Sequence, residues 1–300
     1  MKITSILLLA VCLAPGCSTR NSVPETRDYT LVDDEGIYVE QFDSTNVAEN
    51  RYTANNLTYR EGNRLVYDYY YQDTQGNRYK FEELANASEL NFPDRVKAWT
   101  FVRLDSLTER TIDKVELTVT YGLSPMDRNN PDYNQTVINY QYPQVNGERN
   151  FNSHTGVIEN ERNVWTHPPR DRFFRILEIN PFPFIQAPYE VGHIWEWSLK
   201  IGSFWGDERW KAWEGPIVNA YTYEIVDQRK IDTSMGAVKC LVIDASATSA
   251  IGTTQLTSYF NPEMGFVKLD YTNIDGTKTV LELVDFDRKR TVDELGANSE

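Results

Sequence analysis

The stretch IWEWSLKI, residues 194–201, alternates without a break. Trp195, Trp197, Leu199 and Ile201 fall on one side; Glu196, Ser198 and Lys200 fall on the other. A period of two predicts a half-buried β-strand with both indoles turned inward. The same period recurs at 114–121 (KVELTVTY) and at 217–226, where Ile217, Tyr221, Tyr223 and Ile225 are in phase. Residues 65–72 (LVYDYYYQ) and 137–142 (VINYQY) add short β-prone runs, and the nearly all-apolar 238–245 reads as a central strand.

Turn residues punctuate these runs. Asp73-Thr74-Gln75-Gly76-Asn77 leads from 65–72 into 78–81, and Asn261-Pro262-Glu263-Met264-Gly265 separates 257–260 from 266–271. Asp275-Gly276 then joins that strand to 280–286 by a strong hairpin signal. Residues 114–121 and 137–142 are expected to pair antiparallel across a long loop. Helical patterning is sparse: 82–90, and 169–179, where Pro168-Pro169 suits a helix start and Phe173, Phe174 and Leu177 share a face. Pro181, Pro183 and Pro188 stop that helix from continuing. The expectation is a mostly β protein, a curved antiparallel sheet or half-barrel with one or two short helices. The chain divides into 1–16 (leader), 17–28 (flexible tether), 29–150 (N-terminal β region), 151–287 (C-terminal β region) and 288–300 (polar tail).

With 300 residues, 40% of them hydrophobic and 13% aromatic, the chain can build a sizeable core. A net charge of −14 repels phosphate backbones, so nucleic acid is a poor partner. It also repels anionic lipid, so attachment to a membrane is expected to be covalent or local.

The leader MKITSILLLAVCLAPGC has a basic Lys2, an apolar run at 3–13 too short to cross a bilayer, and small or turn-forming residues up to Cys17. It resembles a bacterial lipoprotein signal with its lipobox. That resemblance implies cleavage before Cys17 and a diacylglycerol thioether, with palmitate-type acyl chains, on that residue. Ser18-Thr19-Arg20-Asn21 carries neither an aspartate next to the cysteine nor an acidic run. The expected place is the periplasmic face of an outer membrane.

Three phrases, PYEVGHIWEW, MGAVKCLVIDA and TSYFNPEMGFVKLDY, all within 188–286, are similar to the DUF3108/TapB-like envelope proteins. The stretch from Asn163 also resembles uncharacterised lipoproteins of the Bacteroidetes. The resemblance implies a curved antiparallel sheet akin to the half-barrels of lipoprotein carriers and brings no catalytic residue with it.

Five tryptophans crowd residues 195–213. Trp195 and Trp197 belong to the strand interior. Trp205, Trp210 and Trp213 lie in SFWGDERWKAWEG beside Asp207, Glu208 and Arg209, and are the candidate ligand or partner contacts. The plainer account is a loop that plugs the open end of the sheet, indoles down and charges outward. His154, His167 and His193 show no ligand spacing, and His167 reads as a hydrogen-bonding loop residue. Asp127, Asn129, Asn130, Asp132 and Asn134 lack the calcium-loop order and read as a solvated turn. There is no G-x-S-x-G, and Cys240 in its apolar strand reads as a buried inert thiol. No catalytic residue, metal or cofactor is expected.

The sequence therefore favours a non-enzymatic, lipid-anchored protein that binds a hydrophobic or glycan ligand. The alternatives are an assembly subunit of an envelope complex and a hydrolase acting on glycan or peptide. A carrier needs an unfilled cavity lined by the sheet. A subunit needs a filled core and an exposed apolar patch. An enzyme needs polar groups converging in a cleft, one with a displaced pKa.

Overall fold

A computed structural model of the protein describes residues 29–42, 56–120 and 135–289. The leader with Cys17, the tether and the oxygen-rich loop at Asp127 lie outside the described residues.

The protein is mostly β, and its main sheet is antiparallel throughout. In chain order the strands are β1 (Tyr29–Asp34), β2 (Ile37–Phe42), β3 (Arg64–Gln72), β4 (Arg78–Glu83), β5 (Trp99–Arg103), β6 (Lys114–Val119), β7 (Thr136–Gln141) and β8 (Asn152–Glu159). They continue as β9 (Asn163–Thr166), β10 (Phe184–Gln186), β11 (Ile194–Ile201), β12 (Ile217–Thr233), β13 (Gly236–Ser249), β14 (Gly252–Asn261), β15 (Gly265–Thr272) and β16 (Lys278–Asp287). Fourteen of them form one sheet in the order β10-β9-β8-β7-β6-β3-β16-β15-β14-β13-β12-β11, with β4 and β5 branching from β3. Strands from both sides of residue 150 share this sheet. Its two edges curl back toward each other, and the rings of Phe184 on β10 and Trp195 on β11 lie 5.7 Å apart. The half-barrel is thus nearly closed.

The alternation at residues 194–201 sets β11 as expected: Trp195, Trp197 and Ile201 are buried while Glu196, Ser198 and Lys200 are exposed. β6 and β7 pair antiparallel, as do β15 and β16 through the Asp275-Gly276 turn. That turn needs its glycine, since Gly276 takes φ +80°. Three register shifts, at Ile225/Asp227, Tyr259/Phe260 and Leu283/Asp285, bend the long strands into the curve.

Both helix expectations are corrected in detail. Glu82 and Glu83 extend β4, because Phe81, Glu82 and Glu83 pair with β5; only Ala87–Glu89 forms a 3₁₀ turn. One α-helix occurs among the described residues, the four-residue α1 (Asp94–Lys97) ahead of β5. Residues Arg172–Ile179 are a 3₁₀ segment with every side chain buried. It has no solvent face because it runs inside the barrel.

This inner segment fills the core. Phe173 packs edge-on to Tyr71, Trp99 and Phe101, and Phe174 packs on Tyr69, Phe81 and Tyr142. Its carbonyls are met by the barrel wall. Ile179 O accepts from Asn219 Nδ2 (3.1 Å) and Thr254 Oγ1 (2.9 Å), and, in the turn just beyond the segment, Phe182 O accepts from the Tyr223 hydroxyl (3.2 Å). A backbone buried on all sides must satisfy its polar groups this way.

Candidate functional site

The barrel's seam carries the site. β1 and β2 form a separate hairpin, hydrogen-bonded to no barrel strand as a ladder. It lies across the gap between β10 and β11. Tyr38 N donates to Asn163 Oδ1 (2.7 Å), and Tyr38 O accepts from Asn160 Nδ2 (2.8 Å). Gln186 Nε2 donates to Gly36 O (3.2 Å). The hairpin tip sits so close to β11 that a Cβ on Gly36 would stand 2.7 Å from Glu196 O; Gly36 also has φ +99°.

Beneath the hairpin lies a pocket of about 440 Å³. Its aromatic side is Trp165 of β9, Phe182 from the turn between the inner segment and β10, and Trp197 of β11. Trp165 meets Trp197 edge-on at 5.8 Å, and Phe182 lies 5.6–5.7 Å from both. His154, His167 and Arg170 supply polar groups, and Ile37 and Val39 close the hairpin side.

Behind this wall is a buried charged cluster. His167 leaves β9 and Glu178 lies on the inner segment, with Arg170 between them in sequence. Arg170 Nε stands 3.0 Å from Glu178 Oε1, an ion pair whose N–H is not aimed along a hydrogen bond. Arg170 Nη1 is 3.1 Å from His167 Nε2. Burial, and then the neighbouring Arg170 charge, push the His167 pKa well below its ordinary value, so the ring is neutral near pH 7. A neutral His167 accepts from Arg170 through Nε2, which leaves the proton on Nδ1. Burial raises the Glu178 carboxyl to about 7, against the opposing pull of Arg170 and Arg175. Glu178 stands behind Arg170 rather than in the pocket wall.

The three candidate tryptophans separate. Trp205 is half-buried and covers this cluster: the Arg170 guanidinium lies 4.5 Å from its ring centroid, and that of Arg175 5.2 Å. Trp210 is only 8% exposed and lies nearly parallel to Trp99 at 6.1 Å. Trp213 is half-buried against Gly206. Arg175 Nη2 donates to Phe204 O, tying the loop to the inner segment. At this end Phe92 and Phe204, 68% and 45% exposed, lie 5.5 Å apart.

Cys240 is buried, and burial raises its thiol to about 11, which makes it a poor nucleophile. His193 stacks on Trp195 at 5.4 Å, away from the pocket wall. Sequence reasoning took His167 as a loop residue and passed over Arg170 and Glu178. The available signal was five charges, Arg170, Asp171, Arg172, Arg175 and Glu178, within a short proline-bounded stretch whose other residues are mostly apolar.

No family model and no curated protein matches the chain, so the expected likeness to DUF3108/TapB-like proteins has no family model behind it. Three solved structures are similar in shape. One is described as an exported protein with a YmcC-like fold from Bacteroides fragilis: 11% identity, TM-score 0.42, covering 77% of this chain and 98% of that one. The second is described as a lipoprotein from Parabacteroides distasonis: 12% identity, TM-score 0.41, covering 77% and 97%. The third is the hypothetical lipoprotein YmcC from Escherichia coli: 8% identity, TM-score 0.32, covering 82% and 92%.

Proposed function

We propose that the protein is a non-enzymatic, lipid-anchored protein of the cell envelope, held through Cys17 at the periplasmic face of the outer membrane, which binds a small glycan-like ligand in the pocket beneath the hairpin. The observation that carries the ligand reading is the pocket itself. About 440 Å³ of space is walled by Trp165, Phe182 and Trp197 on one side and by His154, His167 and Arg170 on another. A sugar ring offers apolar faces to aromatic groups and hydroxyl edges to polar ones. A glycan is preferred to a larger apolar guest because the inner segment packs the barrel with the chain's own phenylalanines. The leader supports the anchor.

The ligand test is a titration of the full chain with disaccharides and, separately, with decanoate, followed by tryptophan fluorescence. A saccharide is expected to change the emission, and Arg170→Met to weaken that response at least tenfold. A response to decanoate alone, or an Arg170→Met protein that binds saccharide as well as the parent, overturns it. For the anchor, mass spectrometry should find acyl mass on Cys17, and Cys17→Ser should release the protein from membranes. An unmodified Cys17 in the native protein defeats that part.

The exposed Phe92–Phe204 pair favours one second reading, an assembly subunit. Two solvent-facing phenylalanines in ring contact, tilted to each other, suit burial against a partner.

A further inference from the structure

The β1–β2 hairpin is the one described pair of strands that joins the main sheet through no ladder. A lone two-stranded hairpin is marginal in water, so it depends on what it rests on. Among the described residues its support includes two parts. The first is a latch of amides. Asn163 and Gln186 are register partners across β9 and β10, and their side chains reach the hairpin backbone at Tyr38 and Gly36. Asn160 adds its own bond to Tyr38 O, and the Arg162 guanidinium covers the Tyr38 ring at 4.2 Å. The second is apolar: Ile37 and Val39, both buried, face the pocket. Residues 58 and 59 are anchored to β8 instead, since Thr58 N and Tyr59 N both donate to Glu159. Elements with few ladder bonds and small buried area open first, as cooperative units. Here such a unit forms one wall of the pocket while the opposite walls are barrel strands.

We propose that the hairpin is a strap: it lifts off the Asn163–Gln186 pair as one body to admit ligand, and closes by seating Ile37 and Val39 over it. This rests on the reading of the pocket as a binding site, and it concerns how that site is reached. The barrel stays shut during the motion, since β8, β9 and β11 keep their ladders.

The test reads the motion without any ligand. Ile158 lines the pocket and is 5% exposed; Ile158→Cys places a thiol under the strap. Cys240, buried in β13, is the internal control. Alkylation of the full chain by N-ethylmaleimide is followed at each site by peptide mass spectrometry. Adding Asn163→Ala and Gln186→Ala, whose side chains hydrogen-bond only the hairpin among the described residues, should speed modification at position 158 at least tenfold. Cys240 should stay protected. Gln186→Ala alone, the milder change, should give a smaller acceleration in the same direction. Equal rates at position 158 with and without the latch overturn the strap. So does a matching acceleration at Cys240, because the barrel itself would then be opening. The saccharide titration judges the binding reading separately: an accelerated position 158 with no saccharide response leaves the strap standing and removes the ligand.

Discussion

The Arg209 guanidinium carbon lies 3.7 Å from the centroid of the Trp99 ring, and the same side chain grips both oxygens of Asp207 at 2.7–2.8 Å. This clamp holds the 203–213 loop against β5 and explains why Trp210 is buried at its foot.

Trp210 is therefore expected to behave as a core residue. Trp210→Ala should cost about 3–5 kcal/mol in urea denaturation, the usual range for a buried large aromatic. Trp213→Ala, half-buried, should cost clearly less. Equal small losses at both positions would mean that the loop is not packed as described.

Glu178 and His167 set opposite pH dependences. Glu178 keeps its proton in the fold up to about pH 7 but titrates near 4.5 when unfolded, so its contribution is full below 4.5 and is lost as pH rises to 7. The loss is about 3 kcal/mol. His167, held neutral by burial, does the reverse: its contribution is full above pH 6.5 and is lost as pH falls. Between 4.5 and 6.5 the two oppose each other. Melting curves from pH 4 to 8 should show Glu178→Gln removing the alkaline loss and His167→Asn removing the acidic one. Curves that keep the parent's shape in both variants would contradict the described burial.

Phe174 contacts three barrel rings from inside. Phe174→Ala should destabilise by about 3–5 kcal/mol. Because the inner segment ties many strands together, the loss should appear as one cooperative transition at lower temperature. Calorimetry showing two separated transitions would argue against a shared core.

Gly265 is required twice over. It has φ +76°, and a Cβ there would stand 2.9 Å from the Tyr59 hydroxyl. Gly265→Ala should cost about 2 kcal/mol from backbone strain alone, with faster amide exchange at Thr58 and Tyr59. Unchanged exchange at those two amides would show that the loop does not lean on this turn.

What the sequence revealed depended on having one dry and one wet face. β11 was read at its observed bounds because Glu196, Ser198 and Lys200 mark its outside. The Asp275-Gly276 hairpin was legible because its turn chemistry is local. The inner segment was misread as a helix with one face toward the core; wrapped on all sides by the barrel, it carries no polar stripe to fix its conformation. β4 ran past its expected end because Glu82 and Glu83 look like a helix start, yet pair with β5. The site was barely visible: His167, Arg170 and Glu178 follow no motif spacing and meet only because a proline-rich turn folds the chain back into the barrel.

β3 pairs with β16 along nine register positions, from Arg64 opposite Asp287 to Gln72 opposite Lys278, about 200 residues apart in the chain. The centre of the sheet thus joins the earliest barrel strand to the last. A ribosome making this protein releases β3 long before its neighbour exists, and loop-closure entropy delays the pairing further. The nascent polypeptide carries that tyrosine-rich strand with its β16 side open, so the barrel cannot form before β16 has left the ribosome.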